Sequence, residues 1–233
     1  MGRLYYITGG AGSGKSEYAE QLAERLHTEL GGPLYYVATM NPAPWDSDAA
    51  ARIAKHQKRR AGRGYTTLEC PTDIAQLRAR LTKDLNLPDT TAGALRADVS
   101  AAHGALLMPA TGKASQAESI RHSSNAAEVR HAASRAVFLL EDLTNLYANE
   151  VYGTSGHPHE IVAPLLELTQ QAGAVIIVAN ELYSDGIDYG PETDRFLRDL
   201  AGLAAALSAA ADQVTEVVYG IPVQLKGVLC SIH

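Results

Sequence analysis

The sequence is poor in cysteine and has no long apolar run, and each absence excludes a class of protein. Its two cysteines, Cys70 and Cys230, are too few for a disulfide framework or a zinc site, so we expect both to be buried free thiols. No segment approaches the ~20 apolar residues that a membrane-spanning helix needs. The first residues, MGRLYY, contain no signal-peptide apolar region, and we expect a cytoplasmic protein with no membrane insertion.

Positive charge is also scarce. The chain carries 20 Lys and Arg against 26 Asp and Glu, a net charge of −6, so it has no basic field to attract nucleic acid or an anionic membrane. We therefore expect a small-molecule substrate and no nucleic-acid partner. The N-K-x-D guanine motif is absent as well, which argues against a GTPase switch.

The most informative stretch that is present runs from Leu4 to Leu26. It begins as an apolar, β-favouring run, passes through a glycine-rich turn and continues with helical periodicity. Within it, Gly9, Gly14, Lys15 and Ser16 match the phosphate-loop pattern G-x-x-x-x-G-K-[ST] in the required strand–loop–helix context. In such a loop the backbone N–H groups bind phosphate, the lysine reaches the β- and γ-phosphates, and the serine hydroxyl can bind Mg²⁺. The pattern predicts a site for a nucleoside triphosphate.

Strand-like and helical segments alternate along the rest of the chain. Apart from the first strand, strands are expected at residues 34–38, 65–70, 135–142, 174–179, 213–219 and 223–226. This alternation predicts an α/β fold with a mainly parallel sheet covered on both faces. The last two strands are joined by Gly220-Ile221-Pro222, so we expect them to form an antiparallel pair at the sheet edge.

The length suits a single domain, residues 1–233, with a low-complexity insertion at residues 85–134. Ala, Ser, Thr and Gly dominate the insertion, which shows no steady period and is expected to carry no chemistry. Its three scattered histidines are expected to face solvent. His157 and His159 lie two residues apart and are only a weak candidate for a metal site.

Polar side chains follow two of the predicted strands. The strand at 135–142 ends in Glu141-Asp142, and the strand at 174–179 is followed by Asn180-Glu181. In open α/β sheets ligands gather at the carboxyl ends of strands. An acid in this position is typical of a carboxylate that orients Mg²⁺ opposite a phosphate loop, and Asp142 is also a candidate helix N-cap.

A basic helix is predicted after the second strand. Its pattern Arg52-Ile53-x-x-His56 is followed by a basic run and, further on, by Glu69. We expect Ile53 to face inward and the basic run, Lys55 to Arg60, to face outward. The spacing alone leaves two interpretations of His56: an exposed histidine on a solvated face, or a nucleophile, since neutral imidazole is competent near pH 7.

Taken together, the chain resembles the bifunctional adenosylcobinamide kinase/adenosylcobinamide-phosphate guanylyltransferases of cobalamin biosynthesis. The resemblance covers most of residues 3–81 and 135–227. It rests on these segments, which occur in the family's order: ITGGAGSGKS, LYYVAT, AAARIAKHQKRR with TLE beyond it, VFLLEDLTN, VIIVANE, RFLRDLAG and AAADQVTEVVYGIPVQLKG.

The resemblance implies two reactions in one RecA-like P-loop domain, usually assembled as a trimer. The γ-phosphate of ATP or GTP is first transferred to the aminopropanol hydroxyl of adenosylcobinamide. GTP then guanylylates a histidine, which passes GMP to the new phosphate to give adenosylcobinamide-GDP. His56 stands at the position of that histidine.

The resemblance also implies roles by position. His56 and Lys15 would be catalytic, and Ser16 and Glu141 would hold Mg²⁺. The carboxylate of either Glu69 or Glu141 would select guanine by accepting hydrogen bonds from the N1–H and N2–H₂ groups of the base. The expected nucleotide-binding residues are Gly9, Gly10, Ala11, Gly12, Ser13, Gly14, Lys15, Ser16, Ala38, Thr39, Met40, Gln57, Lys58, Arg59, Arg60, Glu69 and Glu141.

The chain departs from the family pattern in several places. The family usually has Ser or another small polar residue where Met40 stands, and its short members lack the insertion at 85–134. Leu182 to Ile187 replace a usual V-G-M-G-I-V, and Gly202 to Ala206 replace a polar G-R-V-N-Q. These changes remove polar groups available to the corrinoid or to a neighbouring subunit. Three alternatives therefore stay open: a protein with only guanylyltransferase activity, an unrelated P-loop small-molecule kinase, and a non-catalytic, nucleotide-gated binding module.

Overall fold

A computed structural model describes residues 2–40, 47–77, 132–153, 158 and 160–228. Seven strands and five helices are numbered here in chain order over those residues. The strands are β1 (Arg3–Thr8), β2 (Leu34–Ala38), β3 (Tyr65–Glu69), β4 (Val137–Glu141), β5 (Ala174–Val178), β6 (Gln213–Val218) and β7 (Ile221–Lys226). The helices are α1 (Lys15–Leu30), α2 (Ser47–Arg60), α3 (Leu143–Tyr152), α4 (Val162–Gln171) and α5 (Pro191–Ala210).

The strands form one seven-stranded sheet in the order β3-β2-β4-β5-β1-β6-β7. All neighbouring pairs from β3 to β6 are parallel, and only β6 and β7 are antiparallel. This is the predicted mainly parallel sheet with an antiparallel edge hairpin. With the phosphate loop after β1, the fold is of the P-loop NTPase type.

Helices cover both faces of the sheet. Every residue of β5 is buried, which requires cover on both sides because successive side chains point to opposite faces. Helix α1 packs on β4 and β5 through an apolar stripe that includes Leu22 and Leu26, both fully buried. Helices α4 and α5 pack on β5 and β1, respectively, and on each other. The central strands are therefore the core of the domain.

The parallel arrangement brings the carboxyl ends of four strands to one edge. Thr8, Ala38, Glu141 and Val178 end β1, β2, β4 and β5, and these strands are neighbours in the sheet. Polar residues that are far apart in the sequence meet there, as expected for an open α/β sheet. The candidate site lies at this edge.

Three smaller expectations can be compared with the structure: the state of Cys70, the start of the last strand and the absence of a membrane-spanning helix. Cys70 is a buried free thiol, as predicted. The last strand begins at Ile221 rather than at Val223, because a proline at position 222 is compatible with an edge strand. None of the described helices is long and apolar enough to cross a membrane.

Other expectations lie outside the described residues. They concern Cys230, His157, His159 and all but the last three residues of the predicted insertion at 85–134.

Candidate nucleotide site

The glycine-rich turn between β1 and α1 has the geometry of a phosphate loop. Gly9 and Gly14 have φ values of 150° and 94°, which glycine adopts without steric cost. A Cβ atom at Gly9 would lie 2.4 Å from the carbonyl oxygen of Val217. Gly10, Ala11 and Gly12 are exposed at the tip, and α1 begins directly after Gly14. The loop therefore presents exposed backbone and a helix N-terminus, which together favour an anion.

Lys15 is held inside this loop. Its side chain is only 7% exposed, and its Nζ donates to the carbonyl oxygen of Gly10 at 3.0 Å. Burial lowers the pKa of Lys15, while the charges of Asp142 and Glu141 act in the opposite direction. The ammonium group therefore lies between the loop and the two acids that follow β4.

The two acids have different surroundings. Asp142 is the N-cap of α3, and its Oδ1 accepts from the backbone N–H of Asn145 at 2.6 Å. Its Oδ2 accepts from Nδ2 of Asn180 at 3.1 Å. Burial raises the pKa of the Asp142 carboxyl, against the lowering effect of the Asn145 hydrogen bond. Glu141 is half-buried and accepts from the hydroxyl of Tyr36 at 3.3 Å.

His56 lies on α2 and faces the same cavity as Lys15. Its Nδ1 atom is buried. One ring nitrogen of His56, one carboxylate oxygen of Glu20 and one of Glu141 all lie within 4.8 Å of one another. The interpretation of His56 as an exposed histidine on a solvated face does not fit this position.

The expectation that the basic run faces outward is wrong for its last two residues. Arg60 is buried, with its guanidinium carbon 3.3 Å from the ring centroid of Tyr36, a distance typical of a cation–π contact. Arg59 Nη2 donates to Glu20 Oε1 at 2.6 Å. Only Gln57 and Lys58 of residues 57–60 are exposed. The cause of the difference is Glu20, a buried acid on α1 that attracts the arginines.

These elements enclose a cavity of about 360 Å³, of the size range of small-molecule sites. It brings together eleven of the predicted site residues: Ala11, Gly12, Lys15, Ser16, Ala38, Met40, His56, Gln57, Arg60, Glu69 and Glu141. The remaining walls come from Tyr36, Ile53, Thr67, Asp142, Asn145, Asn180 and Leu182.

The other predicted site residues do not line this cavity. Gly9, Gly10, Ser13 and Gly14 belong to the loop that borders it. Lys58 is exposed, and Arg59 turns to Glu20.

Thr39 is buried beneath the cavity. Its hydroxyl accepts from the backbone N–H of Asp142 at 2.8 Å and donates to the carbonyl oxygen of the same residue at 2.9 Å. The carbonyl oxygen of Thr39 accepts from the side chain of Asn149 at 2.8 Å. Thr39 therefore ties the end of β2 to the segment after β4 and sets the position of the two acids.

The segment after β5 reaches the phosphate loop. The backbone N–H of Glu181 donates to the carbonyl oxygen of Gly9 at 3.1 Å. Leu182 lines the cavity, and Ile187 and Tyr189 are exposed beyond it. The departure from the family pattern at 182–187 thus lies beside the candidate site.

Sequence reasoning did not assign a site role to Glu20, Tyr36 or Asn145. Asp142 had a clear signal, since it is an acid directly after an apolar strand, and Asn180 occupied the matching place after β5. Glu20 had none, because an acid in the middle of an amphipathic helix reads as a surface residue. Its burial depends on the arginines of α2.

Two comparisons with known proteins gave matches over most of the chain. A model of the family described as "Cobinamide kinase / cobinamide phosphate guanyltransferase" matches residues 5–105 and 110–225. A relative from Pseudomonas aeruginosa, named bifunctional adenosylcobalamin biosynthesis protein CobP, is 28% identical over 227 residues. The alignment covers 95% of this chain and 96% of the relative.

Proposed function

The chain belongs to the cobinamide kinase / cobinamide phosphate guanyltransferase family, and from that premise we propose that a single cavity serves both of its reactions. The protein is an enzyme of cobalamin biosynthesis with kinase and guanylyltransferase activity. The observation that carries the proposal is that Lys15 and His56 line the same cavity. A phosphate-binding cation and a candidate nucleophile therefore share access to one bound triphosphate.

The kinase step uses the phosphate-loop side of the cavity. The aminopropanol hydroxyl of adenosylcobinamide attacks the γ-phosphorus of ATP or GTP, and the bond to the bridging oxygen of the β-phosphate breaks. Lys15 and the backbone of the loop stabilise the charge that develops on the phosphate oxygens. Asp142 lies beside Lys15, in a position to accept a proton from the attacking hydroxyl.

A hard divalent cation fits the oxygen donors at this edge. Ser16 supplies a hydroxyl and Glu141 a carboxylate, and both line the cavity; oxygen ligands of this kind suit Mg²⁺. When bound with the nucleotide, Mg²⁺ would neutralise phosphate charge. Lys15 and the other side chains that line the cavity hold and orient the nucleotide to which the ion is bound.

The guanylyl step uses the α2 side. His56 attacks the α-phosphorus of GTP, forming an N–P bond while the bond to the β-phosphate breaks and pyrophosphate leaves. The phosphate of the substrate then attacks the same phosphorus, which returns the imidazole and gives adenosylcobinamide-GDP. Splitting the transfer in this way replaces one difficult displacement by two easier ones. Glu69 and Glu141 both line the cavity, and one of the two carboxylates accepts from guanine. For Glu141 this role is an alternative to binding Mg²⁺.

Two labels on GTP test the proposal. The purified protein is incubated with Mg²⁺ and GTP labelled at the α-phosphate, without corrinoid, and the denatured chain is assayed for label; a parallel sample carries label at the γ-phosphate. We expect acid-labile, alkali-stable label from the α-position only, and none in His56→Ala. Wild-type protein that binds GTP but acquires no α-label would contradict the guanylyl-histidine. Label from the γ-position instead would indicate a phosphohistidine.

A further inference from the structure

The side chain of Glu20 is the centre of a charged network between α1 and α2. It is 1% exposed, and its Oε1 accepts from Arg59 Nη2 at 2.6 Å. Arg60 Nη1 lies 3.9 Å from Oε1, and Arg63 Nη1 lies 4.0 Å from Oε2. The hydroxyl of Tyr65 donates to the backbone carbonyl oxygen of Glu20 at 3.2 Å. The helix that begins in the phosphate loop is thus fixed to the helix that carries His56.

The same carboxylate lies beside the imidazole. One oxygen of Glu20 and one of Glu141 lie within 4.8 Å of a ring nitrogen of His56. Two carboxylates and a histidine can hold a metal ion, but three guanidinium groups already surround Glu20. At this depth charges interact strongly, so the guanidinium groups oppose the two positive charges of a divalent metal ion more than the single charge of a protonated imidazole. The cluster therefore fits a charge-balanced support for the imidazole better than a metal site.

Stability alone does not explain a buried acid at this position. Burial raises the pKa of the Glu20 carboxyl, which shows that the charged form is poorly solvated there, while Arg59 acts to lower it. Buried ion pairs contribute little net stability compared with apolar residues of the same size. Leucine or alanine would continue the apolar stripe of α1 at this position, so the presence of a charged residue here points to a role in the chemistry.

We infer that Glu20 is a positioning residue for the guanylyl step. Through Arg59 it holds α2 in the orientation that turns His56 into the cavity, and it places negative charge beside the imidazole. The inference rests on the proposed function, because it takes His56 as the nucleophile.

The need for negative charge follows from the reaction. In the guanylyl step one ring nitrogen of His56, which lines the cavity, attacks the α-phosphorus. The N–P bond forms, the P–O bond to the β-phosphate breaks, and pyrophosphate leaves with the bonding electron pair. The ring then carries a positive charge, shared with the N–H group of its other nitrogen. A buried carboxylate within 4.8 Å of a ring nitrogen stabilises this cationic form.

The experiment measures guanylylation and GTP binding separately in Glu20→Gln. This substitution keeps the shape and an acceptor for Arg59 but removes the charge. We expect single-turnover labelling from α-labelled GTP to slow by about 100-fold, the effect of a misplaced reacting group, while the Kd for GTP stays within twofold.

Two further variants complete the experiment. Glu24→Gln is the matched control, since Glu24 lies one turn further along α1 and pairs with Arg63 at 3.1 Å, but is 34% exposed; it should label at the wild-type rate. Glu20→Asp keeps the charge on a shorter side chain, and should recover part of the lost rate.

Each outcome decides between the explanations. Equal labelling rates in wild type and Glu20→Gln would overturn the inference, as would a loss of GTP binding in parallel with labelling, which marks a merely structural role. If Glu20→Gln does not fold, Glu20→Asp decides, because it moves the carboxylate away from Arg59 by one methylene group: labelling at the wild-type rate would overturn the positioning role. Wild-type protein that binds GTP without acquiring label would refute the guanylyl-histidine itself, and with it the role of Glu20.

Discussion

The phosphate loop and helix α2 border the same cavity, but they are held in place by different means. The loop is fixed by backbone: glycine conformations, a close approach to Val217 and hydrogen bonds between main-chain atoms. Helix α2 is fixed by side-chain charge, with Arg59 bonded to Glu20, 39 residues earlier in the chain. One side of the site is therefore held by the geometry of the main chain, and the other by pairing between charged side chains.

Lys15→Ala tests whether the two sides act on one bound nucleotide, and has the largest expected effect. Removing the ammonium should slow phosphoryl transfer from γ-labelled nucleotide to cobinamide by at least about 100-fold, because charge on the phosphates is no longer balanced. Labelling of His56 from α-labelled GTP should fall by a similar factor. If α-labelling kept its wild-type rate, the guanylyl step would not use the loop, and the cavity would have to be divided into two sites.

Asp142→Asn separates the two roles of Asp142, which caps helix α3 and places a negative charge opposite the phosphate loop. Asparagine is also a good N-cap, so α3 keeps its cap while the buried charge is removed. The pKa of Asp142 is higher in the folded than in the unfolded protein, so the protonated carboxyl stabilises the fold. This contribution is complete below the unfolded-state pKa of ~3.9. That contribution is lost as the pH rises through the folded pKa, and at neutral pH the buried charge is unfavourable.

We therefore expect Asp142→Asn to raise the free energy of unfolding at pH 8, because the substitution removes a charge that is poorly solvated in the folded protein. The gain should disappear near pH 4, and phosphoryl transfer should be slower. Urea denaturation at the two pH values, with the kinase assay, measures these effects. A gain that did not change with pH would show that the charge of Asp142 is not its cause.

Tyr36→Phe has the smallest expected effect. It measures how much the Tyr36 hydroxyl, as opposed to the ring, contributes to the stability of the α2 side. The hydroxyl donates to Glu141 across 3.3 Å, a long hydrogen bond, whereas the ring lies under the guanidinium of Arg60. Losing the hydroxyl should cost about 0.5 kcal/mol of stability, at the low end for a hydrogen bond.

The matched variant Tyr36→Leu removes the ring, including its edge contact with Tyr65, and should cost about 1–2 kcal/mol more. Thermal unfolding of the two variants gives the comparison. Equal losses would mean that the ring contributes nothing beyond its hydroxyl.

The parts of the fold that could be predicted are those encoded locally. The strand–loop–helix unit around Lys15, the burial of β4 and β5 and the final hairpin all follow from periodicity and turn residues. Asp142 was recognisable as a cap because it stands directly between an apolar strand and a helix. In each case the residues that decide the structure are neighbours in the sequence.

The arrangement of α2 could not be predicted in the same way. Arg60 looked like part of a solvated face, because the period of the helix does not reveal a buried acid on another helix. Likewise, nothing near Thr39 indicated that its hydroxyl would bond to the backbone of Asp142, 103 residues away. The position of His56 in the site followed from family resemblance and not from its own neighbourhood.

The close approach of the loop to the last parallel strand bears on synthesis. The carbonyl oxygen of Ser13 accepts from the backbone N–H of Gly220 at 2.7 Å, and the backbone N–H of Leu4 donates to Asp212 Oδ2 at 2.7 Å. The phosphate loop is translated before these supports, which follow about two hundred residues later in the chain. A nascent chain therefore carries the whole phosphate-loop motif before these two hydrogen bonds can form, and we expect the loop to reach its final geometry only when β6 has joined the sheet.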